Sequence, residues 1–161
     1  MKNILVTGAS GFLGQKLVTR LLADEYKVSA VSRQSIPSRF KSHPNISWLM
    51  HDLVKDQIMI DKNIVFYAVF HLAATIESTN DEMFIINNEL ATIRLLQSIG
   101  KNTSRFIFSS TQMVYGDVDH RSVDESFPLV ANQNSYACSK INCQNWLRRF
   151  HSINGGQYVI L

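Results

Sequence analysis

Tyr136 and Lys140 stand four residues apart, a spacing that puts both side chains on one face of a helix. A phenol is a weak base at neutral pH, and a neighbouring ammonium stabilises its phenolate, so this pair is equipped to take up and return a proton. Thr111 ends the stretch Ser109-Ser110-Thr111, directly after an apolar run at residues 105–108. Its hydroxyl, at a predicted strand end, can hold a substrate oxygen beside the phenol. An exposed pair on a helix surface has the same spacing and stays open as the alternative. The other chemically suggestive stretch is Thr7-Gly8-Ala9-Ser10-Gly11-Phe12-Leu13-Gly14. It joins a short apolar run at residues 4–6 to an amphipathic run that begins at Phe12, which predicts a strand, a turn and a helix start. The first N–H groups of such a helix lack partners, and with the helix dipole they favour an anion such as a pyrophosphate. Gly8 permits the tight turn, Gly11 permits close approach of a phosphate, and Gly14 lets the helix pack against the strand. The spacing is G-x-x-G-x-x-G rather than G-x-G-x-x-G. A glycine turn without a ligand remains the plain alternative.

These residues need elements to hold them. Phe12, Leu13, Leu17, Val18, Leu21 and Leu22 recur at helical spacing and predict an apolar stripe packed on a sheet. Residues 27–32 and 46–50 read as strands, separated by a polar loop with two prolines, and residues 64–71 form a nearly continuous apolar run, as in a strand buried on both faces. A long helix is predicted over 81–100, closed by Gly100, followed by a strand at 105–108, a helix from Ser135 to about His151 with Ser135 as its cap, and a last strand at 158–161. Strands alternating with crossover-length helical segments predict an α/β fold with a doubly wound parallel sheet.

Composition narrows the classes. The chain has 161 residues, 45% of them hydrophobic, and a net charge of +3, which fits one globular domain over residues 1–161 with a real core. Its basic residues are scattered, so nucleic acid is not an expected partner. No apolar run approaches the length of a membrane span or a secretory core, so a cytoplasmic location is expected and a membrane is not. Cys138 and Cys143 share one predicted helix at a spacing that suits neither a disulfide nor a zinc pair, so they read as reduced thiols and no metal site is expected. Ending on an apolar strand predicts that this is the N-terminal part of a longer protein lacking a C-terminal substrate domain.

The glycine stretch, His51-Asp52-Leu53, Phe70-His71-Leu72-Ala73-Ala74, Asn88, residues 106–111 with Val114-Tyr115-Gly116, and Tyr136-Ala137-Cys138-Ser139-Lys140 together resemble the extended short-chain dehydrogenase/reductase superfamily. More narrowly, they resemble its NAD-dependent epimerase/dehydratase family, which acts on nucleotide sugars, and the likeness covers essentially the whole chain. The resemblance implies a Rossmann fold and an NAD(P) cofactor, with a hydride passing between a sugar carbon and the nicotinamide. Tyr136 would be the general acid/base, Lys140 would bind the nicotinamide ribose, and Thr111 would bond the reacting oxygen. The implied cofactor set is Gly8, Ser10, Gly11, Phe12, Leu13, Gly14, Ser32, Arg33, Asp52, Leu53, Leu72, Ala73, Ala74 and Asn88, with Tyr136 and Lys140. A backbone-bonding core residue is nevertheless the preferred reading of Asn88, and a packed strand-end histidine that of His71; Asp52 is preferred as a cofactor contact over a helix cap.

Departures from the family pattern refine this. NAD-preferring relatives usually carry an acid at the end of the second strand, where this chain has Ser32-Arg33; arginine attracts a 2′-phosphate, so NADP is favoured over NAD, with Arg39 as a further candidate contact. Gln112 and Met113 stand where dehydratases resemble one another in having Asp-Glu, which favours epimerisation or simple redox over dehydration. Gln144 replaces a common glutamate and is read as a helix-surface change. Homodimerisation through helices 81–100 and 135–151 is implied by the same resemblance. If the natural chain ended near Leu161, a non-catalytic NAD(P)-binding sensor or interaction module would be the alternative.

Overall fold

The computed structural model describes residues 1–55, 58, 60, 61, 63–118, 122–130 and 134–161. Its strands are β1 (Asn3–Thr7), β2 (Lys27–Ser32), β3 (Ile46–Met50), β4 (Phe66–His71), β5 (Arg105–Phe108) and β6 (Gln157–Ile160). They form one sheet in the order β3-β2-β1-β4-β5-β6, and every neighbouring pair is parallel. The order reverses between β1 and β4, so a crevice opens beyond the carboxyl ends of those strands. This is the doubly wound Rossmann arrangement.

Alternation along β1 feeds two cores. Ile4 and Val6 point to the side of α1 (Phe12–Ala23), where Val18, Leu21 and Leu22 pack with Val28, Ala30 and Ala68. Leu5 points to the opposite side, where Val69, Phe106 and Phe108 meet α3 (Ala91–Ile99) and α4 (Ser135–Asn154) through Leu95, Leu96, Ile99, Cys143 and Leu147. Each fully buried aliphatic side chain of this kind contributes about 1.5–3 kcal/mol. Both faces of β1 are therefore anchored before it delivers Gly8 to the crevice.

Four expectations need correction. The predicted helix over 81–100 is three segments: a short α2 (Glu82–Phe84), a π-helical stretch (Ile85–Leu90) and α3. Its end signal holds, since Gly100 has φ +54° and its N–H returns to Leu96 O. The cap of α4 is Asn134, whose side chain accepts from Ala137 N at 2.9 Å, and not Ser135, which is already helical. In α1 the apolar stripe starts later than expected: Phe12 and Leu13 are 86% and 56% exposed, because the helix leaves the sheet edge there and only from Gly14 onward lies on it. β4 starts two residues later than the apolar run, at Phe66, whose N–H is taken by Asn102 O.

Candidate active site

At the end of β1 the chain turns at Gly8 with φ +67°, and a Cβ there would sit 2.7 Å from Ala73 N. A Cβ on Gly14 would sit 2.1 Å from Gly8 O, so the helix rests directly on the turn. Gly11 is the N-cap of α1, in extended backbone and without a side-chain cap. The first-turn amides are thus left for a ligand, in a cradle that any larger side chain would fill. Residues and backbone here fit a dinucleotide pyrophosphate. Gln15 braces the turn by donating to Ser10 O, and Arg39 Nη2 in turn donates to Gln15 Oε1 at 2.5 Å.

The turn forms one wall of a cleft of about 460 Å³, a size suited to a small-molecule ligand. Gly8, Ser10, Gly11, Phe12, Leu13, Gly14, Ser32, Arg33, Asp52, Leu53, Leu72, Ala73, Ala74, Tyr136 and Lys140 all line it. Three residues named from the sequence do not: Asn88, Thr111 and Arg39, whose guanidinium bonds Gln15 and lies over the Phe40 ring. Asn88 is 2% exposed: its Oδ1 accepts from Thr75 N at 2.8 Å, and its Nδ2 donates to Thr75 O and to Ser139 Oγ. It is the backbone-bonding core residue, tying the wall of the cleft to α4. Thr111 caps the 3-10 turn Gln112–Tyr115, accepting from Met113 N at 3.3 Å, and the strand exit that reaches the cleft is Ser109. Residues missed by the sequence reading include Gln34, Thr75, Ile76 and Asn87. Each lies within a few residues of one that was found, so the motif edges were the available signal. Asp52 lines the cleft while its Oδ1 also accepts from Val54 N at 3.0 Å, so it caps a turn as well.

Tyr136 and Lys140 do share one face of α4. Lys140 is 2% exposed; its Nζ donates to Ser109 O at 2.8 Å and lies 4.7 Å from the Phe108 ring centroid and 5.8 Å from that of Tyr136. No carboxylate among the described residues pairs with it. Burial therefore pulls its pKa down to about 8. The Tyr136 phenol, half-buried, is held above its ordinary value, first by burial and then by Cys143. Desolvation of the phenolate is the leading cause of that shift.

Beneath the cleft, His71 is 1% exposed and bonds at both ring nitrogens: Nδ1 to Thr7 Oγ1 at 2.6 Å and Nε2 to Thr92 Oγ1 at 3.0 Å. Thr92 Oγ1 donates to Asn88 O at 2.7 Å, and Thr7 Oγ1 accepts from Ala73 N at 3.3 Å. One neutral tautomer satisfies all of this, with Nε2–H donating to Thr92 and Nδ1 accepting from Thr7. Burial first, and Lys140 second, lower the His71 pKa to about 3. An unfolded chain takes up a proton at this histidine below its ordinary pKa while the native chain does not, so stability present above that value is lost as pH falls. From about pH 7.5 to about pH 5 the expected loss is about 2 kcal/mol. Urea unfolding at the two pH values, with His71→Asn showing a loss smaller by that amount, checks it; equal losses in both proteins would refute it.

Residues 4–161 match the NAD-dependent epimerase/dehydratase family. The chain belongs to that family. It is 31% identical over 179 residues to the bifunctional UDP-glucose 4-epimerase and UDP-xylose 4-epimerase 3 of Arabidopsis thaliana, over 99% of this chain and 50% of that protein. Among solved structures, the UDP-N-acetylglucosamine 4-epimerase of Methanobrevibacter ruminantium M1 superposes with a TM-score of 0.85 at 29% identity, covering 99% of this chain and 53% of its own. A dTDP-glucose 4,6-dehydratase from Streptomyces venezuelae, solved with NAD bound, gives 0.84 at 28% identity, covering 98% and 54%. The chain thus spans about half the length of the relatives it matches. No helix among the described residues is long and apolar enough to cross a membrane.

Proposed function

We propose that this chain forms the cofactor-binding and proton-transferring part of an NAD(P)-dependent epimerase acting on a nucleotide sugar. The observation that carries the reading is the convergence of Tyr136 and Lys140 on the cleft walled by the glycine turn. A bound nicotinamide would supply reversible hydride exchange with a sugar carbon. Around it, α1 and the turn at Gly8, Gly11 and Gly14 bind the pyrophosphate, Ala73 and Ala74 line the cleft, and Asp52 and Leu53 flank the adenine. Tyr136 moves the proton of the reacting hydroxyl, Lys140 holds the ribose from its anchor on Ser109, and Thr111 remains the proposed contact to the reacting oxygen. Gln112 and Met113 at the start of the 3-10 turn offer no carboxylate for eliminating water, so epimerisation is preferred to dehydration. Incubating the protein with UDP-glucose or UDP-N-acetylglucosamine and cofactor is expected to yield the 4-epimer by chromatography. Cofactor binding with no turnover of either sugar or of a wider nucleotide-sugar panel would replace this reading with that of a binding module.

The same site supports a preference for NADP. Ser32 Oγ donates to Ser10 Oγ at 2.7 Å and accepts from Gln34 N at 2.9 Å, with exposed Arg33 beside it on the cleft. An acid at this place would repel a 2′-phosphate, whereas a guanidinium attracts it. NADPH is expected to bind roughly tenfold tighter than NADH, a difference of about 1.4 kcal/mol that Arg33→Ala removes. Fluorescence titration with both nucleotides measures this, and equal or tighter NADH binding would sink it.

A further inference from the structure

Gln144 is 3% exposed, which overturns its sequence reading as a helix-surface residue. It follows Lys140 by one turn of α4, so both side chains run along the same face toward the exit of β5. There Lys140 Nζ donates to Ser109 O at 2.8 Å and Gln144 Nε2 donates to Ser110 Oγ at 2.7 Å. Consecutive residues of the strand exit are thus held by consecutive turns of one helix. On its other side, Gln144 Oε1 accepts from Arg148 Nη2 at 3.1 Å. Ser110 is a junction as well, since its N–H donates to Leu161 O at 2.7 Å, next to β6. If the amide grip were lost, the segment that carries the lysine's anchor and leads into Thr111 would be free to shift.

Which functional group sits at 144 also matters electrostatically. The titratable and charged groups around the lysine are Tyr136 and Cys143 on its own helix, His71 on β4, and Glu89 on the π-helical stretch, whose carboxylate accepts from Asn142 Nδ2 and acts on Cys143. Arg148 lies one turn beyond Gln144 and is exposed. None of these is a carboxylate in ion-pair contact with Lys140 among the described residues. A glutamate at 144 would change that: it could only accept from Ser110, and it would bring a negative charge within one turn of the ammonium.

Building on the epimerase reading, we propose that Gln144 is a positioning residue for the Tyr136–Lys140 pair: its amide fixes the Ser109–Ser110 exit of β5, and its neutrality keeps the buried ammonium free of a carboxylate neighbour. Burial lets this unpaired lysine surrender its proton more easily than an exposed one, near pH 8, and the alkaline limb of turnover falls there.

Two variants of the full chain separate the halves of this proposal. Gln144→Met keeps the volume without adding charge, and is expected to lower kcat about tenfold with KM for the nucleotide sugar changed less than about twofold. Gln144→Glu is expected to move the alkaline limb of kcat upward by about one pH unit. The same shift is read without activity by following the lysine ε-carbon of 13C-lysine-labelled protein, with Lys140→Arg identifying its resonance. Should the glutamate variant fail to fold, the methionine variant's kcat decides. Wild-type kcat in Gln144→Met, or an unmoved lysine midpoint in a folded Gln144→Glu, overturns the proposal. Wild-type protein that turns over no sugar defeats the epimerase reading instead, and the lysine titration alone then decides the role of Gln144.

Discussion

Replacing Tyr136 by phenylalanine is expected to lower nucleotide-sugar turnover about 10²- to 10⁴-fold, the range associated with loss of a positioned acid/base, while cofactor affinity changes little. The substitution isolates one atom. The ring is half-buried and tilted against Phe84 with centroids 6.1 Å apart, and phenylalanine keeps that packing, so folding should be unaffected. What disappears is the hydroxyl at the cleft. Because burial holds this phenol above its ordinary pKa, the hydroxyl stays protonated across neutral pH in the free protein, ready to donate. Acting as a base demands stabilisation of the phenolate, for which Lys140 on the same helix face is the proposed partner. Product analysis by chromatography beside a cofactor titration makes the measurement. Wild-type turnover in Tyr136→Phe would transfer the proton chemistry to another group, and a parallel loss of cofactor binding would mean the phenol is a binding contact instead.

The strands were legible because their cause is local. Residues 27–32, 46–50 and 105–108 are strands over the predicted ranges, since apolar, β-branched and aromatic residues alternate or run together between polar breaks. The same local signal located the glycine turn and the Tyr136–Lys140 face. What eluded it depends on partners far along the chain. In the segment over 81–100, counting apolar residues picks out Ile86, Leu90 and Ile93, yet the buried positions include Asn88 and Thr92. Periodicity places a polar residue outside by default; the core reading of Asn88 comes from the family resemblance and not from periodicity, and its partners are Ser139, 51 residues away, and Thr75. Gln144 is the same case, buried because Ser110, 34 residues earlier, accepts its amide. Thr111 shows the converse. Strand-end position made it a good candidate for the cleft wall, but its hydroxyl is engaged by the 3-10 turn that follows, and a turn of that kind leaves no trace in hydrophobic pattern.

Gly14→Ala is expected to destabilise the chain by about 3 kcal/mol or more, because the added methyl meets backbone and not a side chain that can swing away. Its Cβ would stand 2.1 Å from Gly8 O, 2.8 Å from Ala9 Cα and 2.9 Å from Gly8 C. Relief requires α1 to lift from β1, which opens the packing of Val18 and Leu22 against Ile4 and Val6. Cofactor affinity should fall with it, since the lifted helix carries the first-turn amides away from the turn. Gly11→Ala provides the contrast: there a Cβ meets only Gly8 O, at 3.2 Å, and the residue is exposed in extended backbone. Its expected cost is about 1 kcal/mol or less in stability, while the methyl projects into the space where a phosphate must approach the amides, so dinucleotide affinity is lost out of proportion. Gly100→Ala is a further reference: no atom lies within 4 Å of its Cβ, but φ is +54° with ψ −129°, so it reports the conformational cost of a glycine-only backbone alone, about 1–3 kcal/mol. Urea unfolding and cofactor titration on the three variants separate helix packing, phosphate access and backbone strain. Near-native stability in Gly14→Ala would show that α1 can withdraw cheaply from the turn, and the cradle would then owe its shape to the ligand and not to the contact of Gly14 with Gly8.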